Sequence, residues 1–109
     1  MILPILLLMT PEGPTLEQAR TCQAHMEMMI EDVAREGGHV AGPTWFIRGW
    51  WEQKAIEAGA PEDDRVELAA ARTALDAMRT AEPERFGAAR QVCVDTAIDA
   101  GAVPGMGPA

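Results

Sequence analysis

Between Thr15 and Gly101 the apolar residues recur at steps of three and four, and glycine or proline interrupts them three times. A chain patterned this way buries one side of each of four helices. No Val-, Ile- or Thr-rich stretch alternates with period two, so no sheet is expected. The fold class predicted is all-α: a small antiparallel bundle of about four helices, preceded by an apolar N-terminal arm or signal-like segment. With 109 residues there is room for one core and no second domain.

The first helix opens at Thr15, where Thr15-Leu16-Glu17-Gln18 reads as a capping box. Leu16, Ala19, Cys22, Met26, Met29, Ile30 and Val33 fall on one face, and Gly37-Gly38 supplies the stop. The second begins near Pro43, a residue suited to a first helical position, and ends at Gly59. The third follows Glu62-Asp63-Asp64, whose charges suit a helix N-terminus, with Leu68, Ala71, Leu75 and Met78 inward. Arg65, Arg72 and Arg79 repeat every seven residues on another face and are expected in solvent. The fourth runs from Glu82-Pro83-Glu84 to Gly101, with Phe86, Ala89, Cys93, Ala97 and Ala100 inward. Three segments result: 1–14, signal-like and Pro/Gly-rich at its end; 15–101, the bundle; 102–109, a flexible tail.

Residues Ile2 to Met9 read ILPILLLM, the size of the apolar part of a secretory signal. No basic residue precedes the run and no clean small-x-small site follows it. Export is preferred over a short strand or arm packed on the domain, because a polar, proline-rich break follows directly. The two cysteines support that preference. Cys22 and Cys93 each sit on the apolar stripe of the first and last helix, which are commonly neighbours in a bundle. A bridge between them is expected, and such bonds persist outside the cytoplasm. Two buried free thiols are the alternative.

Seventeen acidic and nine basic residues give a net charge of -8. That balance argues against nucleic acid as a partner, since such binding is dominated by cationic contacts to phosphate. No apolar run reaches the roughly 20 residues of a spanning helix. Eight of the nine basic residues are Arg in an Ala-rich chain, the coding bias of high-GC bacteria. Cys22, His25, Met26 and Met29 lie within two turns of one helix and are soft or borderline ligands of the kind Cu(I) takes. Methionines at helical spacing are more often core filler, and His25 at the stripe's margin is expected in solvent, so no metal or other cofactor is expected. His39 sits in a Gly-rich loop without a partner in the sequence. There is no Ser in the chain and no nucleophile elbow, P-loop or HExxH motif, so the expectation is not an enzyme.

WFIRGWW, residues 45–51, holds all three tryptophans. Trp45, Phe46, Trp50 and Trp51 cover more than half of a helical turn, which a one-sided core cannot absorb. Either the helix is central, or part of it faces another protein or a second copy; aromatic residues and Arg are enriched in binding hot spots. Arg48 is placed to stack on Trp45 or Trp51. Gly49 offers a close approach for another backbone.

The apolar start, Cys22, the Trp-rich middle helix, Cys93 and the stretch PEDDRVELAAAR…PERFGAAR resemble small two-cysteine helical proteins exported by high-GC proteobacteria. In size and style the chain is also similar to acid-stress chaperones of the HdeA type and to small periplasmic immunity proteins of the Rap1a type. The resemblance implies a helical, exported protein and carries over no functional residue, because the cysteine context differs from both. The function expected is a non-catalytic binding or accessory protein of the bacterial cell envelope, periplasmic or secreted, meeting a protein partner through Trp45, Phe46, Arg48, Trp50 and Trp51. The alternatives are a phage or cytosolic structural subunit with a docked N-terminal arm, and a copper-handling protein.

Overall fold

The computed structural model describes residues 13–107; the apolar run at 2–9, whether signal or arm, lies outside them. Four helices follow in order: α1, Leu16–Arg35; α2, Gly42–Glu57; α3, Arg65–Ala81; and α4, Pro83–Asp99. Among the described residues there is no strand, and the chain is the all-α bundle its periodicity implies. No described helix is long and apolar enough to cross a membrane.

α1 starts where the Thr15 hydroxyl accepts from the Gln18 N–H at 3.1 Å, the first half of the capping box. It ends as Gly37, at φ +77°, donates to Ala34 O while Gly38 donates to Val33 O. Only glycine takes that left-handed turn without strain. Between these caps α1 departs from the one-sided expectation. Cys22, Gln23, Ala24, His25 and Met26 are five consecutive buried residues, and consecutive residues on a helix point in all directions. The reason is topological: α2, α3 and α4 all pack on α1, so its middle is enclosed.

Two cores flank it. The larger joins Ala19, Cys22 and Met26 of α1 to Ile47, Trp51 and Ala55 of α2 and Cys93 and Ala97 of α4. The smaller joins Ala24 and Met28 of α1 to Leu75 of α3 and Phe86 of α4. Ala24 and His25 lie off the sequence-read stripe because they serve this second core. α3 and α4 form a hairpin around the single residue Glu82, whose N–H still closes the last turn of α3 on Met78 O. From there α4 leans toward α2, and α3 stays against α1, where Asp64 receives both Arg20 Nε and Nη2 at 2.8 and 2.7 Å.

The tail differs from the flexible segment expected from residue 102. Gly101 turns the chain at φ +86°, Ala102 donates to Ala97 O, and Val103 enters the larger core. A Cβ at Gly107 would come within 2.5 Å of Ile98 O, so the backbone there lies directly on α4. Absence of periodicity after Gly101 conceals one buried anchor.

Candidate functional site

α2 divides its aromatic residues. Ile47, Trp51 and Ala55 are four apart and form the buried face. Trp51 is fully buried, and its indole N–H donates to Cys93 O at 2.9 Å, which ties the centre of α2 to α4. Trp50 is half-buried and meets Trp51 edge-on, with ring centroids 4.8 Å apart; Lys54 lies 5.1 Å from the Trp50 ring. Trp45 and Phe46, on the opposite side of the helix from Trp51, remain 51% and 52% exposed. Gly42 and Gly49 border them, and open space surrounds both glycines where a Cβ would stand. Among the described residues no other backbone approaches Gly49. The result is an apolar patch of two large rings on bare helix.

Arg48 does not stack on a tryptophan. Its guanidinium reaches Glu27 of α1 at 3.5 Å and Glu52 at 3.7 Å, because it lies on the flank turned toward α1. Of the five partner-binding candidates, then, Trp51 is core, Trp50 and Arg48 are boundary, and Trp45 and Phe46 are surface.

Cys22 and Cys93 stand at disulfide distance, with sulfurs 2.14 Å and Cα atoms 5.3 Å apart. The pair links α1 to α4 and neighbours the Trp51–Cys93 hydrogen bond. With its sulfur in that pair, Cys22 offers no thiolate to a metal. Met26 and Met29 pack with the larger core, whereas His25 belongs to the smaller one, so the soft-ligand set does not converge. Among the described residues no three His, Cys, Asp or Glu side chains gather as a metal-holding group. His39 is exposed.

His25 is not in solvent as its marginal position implied; it is fully buried against Phe86, centroids 4.9 Å apart. Among the described residues neither ring nitrogen has a hydrogen-bond partner. Burial first, then the nearby Arg90 and Arg79 charges, lower its pKa from 6.5 to about 4. Both arginines lie over the Phe86 ring at 4.7 Å. Both also reach Asp32, Arg79 at 3.2 Å and Arg90 at 3.5 Å, and Arg35 joins them at 3.5 Å. Arg72 pairs with Glu31. Of the seven-residue arginine repeat only Arg65 is left in solvent; Arg72 and Arg79 bind acids of α1. The adjacent acids Glu31 and Asp32 carried no signal of this in α1 alone, since their partners come from α3 and α4.

These features define a class: a small all-α four-helix bundle with a cysteine pair at bonding distance, a charge-ringed second core and a surface aromatic pair. No family model, curated protein or solved structure matches the chain.

Proposed function

We propose that the chain is a non-catalytic binding or accessory protein of the bacterial cell envelope, and that Trp45 and Phe46 at the N-terminal half of α2 contact a protein partner. The observation that carries this reading is the division of α2. Its own core demand is met by Ile47, Trp51 and Ala55, yet two more large rings stand half in water beside bare glycine backbone. Rigid aromatic side chains are the residues that anchor protein interfaces. Asp32 and Asp64, which tie neighbouring helices together, are held by arginines. The envelope is supported by the apolar run at 2–9 and by the cysteine pair, which suits an oxidising compartment.

Two measurements test the two halves. An unreduced intact mass of the protein recovered from its own host should show a trimmed chain lacking two hydrogens. A full-length chain with both thiols free overturns the envelope reading and leaves the structural subunit with a docked arm. A photo-crosslinking residue at position 46, used in the host, should give one discrete protein adduct. The same residue at the isolated, exposed Val66 should give none. Equal labelling from both positions overturns the α2 interface.

A further inference from the structure

Among the described residues, the large apolar side chains left in water are unevenly spread. Val66, Val92 and Met106 stand one each on α3, α4 and the tail, whereas Trp45, Phe46 and Ile56 share α2. Gly42, Trp45, Phe46, Gly49, Gln53 and Ile56 fall within about 100° of one another around that helix, on the side away from Trp51. All six are exposed and none is charged. From Gly42 to Ile56 this uncharged stripe runs about 21 Å along the axis.

The chain enters α1 beside the same helix. Gly13, at φ +83°, and Pro14 share a groove of about 390 Å³ with Lys54, Glu57 and Ala58 at the end of α2. In sequence, Gly13 is separated from the apolar run Ile2–Met9 only by Thr10-Pro11-Glu12. An extended chain covers about 3.3 Å per residue, so Leu6, Leu7 and Leu8 can reach roughly 17–23 Å from Gly13. Phe46 and Trp45 lie about 17 and 18 Å back along α2 from Glu57. The rings are therefore within reach of the three leucines, with length to spare for passing round the helix.

Tether and chemistry agree on the occupant. A segment held by so short a linker acts at a millimolar effective concentration on a site it can span. Its leucines gain by leaving water, and an uncharged face costs them no buried charge. A second copy has neither advantage: it is not tethered, and two chains of net charge -8 repel. The groove between α1 and α4 also borders Thr15, but it offers only Val92 as a large exposed apolar side chain.

We propose that Ile2–Met9 docks in cis along this stripe, with Leu6–Leu8 over Trp45 and Phe46. A chain that retains the run then hides the face that a trimmed chain presents. The proposal rests on reading that face as the partner surface, and adds that loss of the run is what opens it.

A photo-crosslinking residue at position 7 of the purified, oxidised full-length chain reports where the run lies. At micromolar concentration the expected product has the mass of one chain, with position 7 joined to residues between 45 and 56. Leu6→Glu with Leu8→Glu should reduce that product at least tenfold and move the tryptophan emission to the red. Both substitutions precede α1, so the helical circular dichroism should be unchanged. A product joining two chains, one joined to Ala89 or Val92, or no intrachain product overturns the proposal. So does an emission spectrum that the two glutamates leave unmoved. The partner reading fails separately. An intrachain product at position 7 without a partner adduct from position 46 in the host removes the partner and keeps the cover. A partner adduct without the intrachain product removes the cover and keeps the partner.

Discussion

The two cores of this bundle are built on opposite principles. The larger one, around Trp51, is apolar and bridged by the cysteine pair: Cys22 and Cys93 span it, and the Trp51 indole N–H donates to Cys93 O. The smaller one, around Phe86, is ringed by charge: two guanidiniums lie over the ring, an uncharged histidine lies beside it, and one carboxylate, Asp32, gathers three arginines. Burial of apolar area and loop closure do not depend on pH in the ordinary range. A buried histidine beside two cations does. The difference teaches that one small domain can contain a region indifferent to acidity and another governed by it, although both rest on the same central helix.

The largest effect that separates them comes from the bridge. Cys22 and Cys93 close a loop with a sequence separation of 71, worth about 4 kcal/mol in the chain-entropy account. Cys22→Ala with Cys93→Ala, or reduction, should lower stability by that order, read as a drop in the urea midpoint. The loss should be the same at pH 8 and pH 5.5. A loss that varies strongly with pH would show that the two cores are not separable in this way.

His25 sets the next effect. Its folded pKa is about 4 against an ordinary 6.5. Between those values the unfolded chain binds a proton that the folded chain does not, so stability is whole above about 6.5 and falls as pH drops through the window. The full contribution is roughly 3 kcal/mol. His25→Leu keeps the volume and removes the titration. Its stability should therefore change less with pH between 7 and 4 than that of the parent, and the difference between the two melting curves isolates the histidine. Identical pH profiles would mean that His25 is not buried uncharged.

Arg79 sharpens the same comparison with a smaller change. It is partly exposed, so its pair with Asp32 is worth about 1 kcal/mol or less. Its charge also helps to hold His25 uncharged. Arg79→Met should thus cost little stability at pH 8 but raise the His25 midpoint, seen by NMR titration of the ring. A lower or unmoved midpoint would remove Arg79 from the electrostatics of the second core.

The larger core was legible in the chain itself, and the smaller one only in part: Ala71, Leu75, Met78 and Phe86 fell on their expected stripes, whereas Ala24 and His25 did not. Ala19, Cys22, Met26, Cys93 and Ala97 sit at helical spacing, and the stripes of the first and last helices point to them without knowledge of the others. The placement of the cysteines on the first and last helices likewise anticipated their meeting. His25, Ala24, Arg79 and Arg90 form a unit only because α3 and α4 return to the far side of α1. Helical periodicity reports how one helix partitions between core and solvent, and it fails where a helix is enclosed by three others. The arginine repeat at 65, 72 and 79 was visible, but its meaning depends on acids contributed by α1. Of the tryptophan helix, the excess of aromatic residues was evident from spacing; which rings were in excess was decided by Trp51 docking on Cys93.

Trp45 and Phe46 should have the smallest effect on folding of any aromatic change in the molecule. Each is about half exposed and neither belongs to a core cluster. Trp45→Ala with Phe46→Ala should therefore shift stability by about 0.5 kcal/mol or less, the usual range for surface changes. Trp51→Ala should cost about 3–5 kcal/mol, as expected for truncating a buried ring. Fluorescence gives a second reading of the same division. Removing Trp45 should take away the most water-exposed, red part of the emission and leave a bluer remainder from Trp50 and Trp51. A large loss of stability from the Trp45 and Phe46 changes would place those rings within the fold's own packing, and the case for reserving them for a partner would go with it.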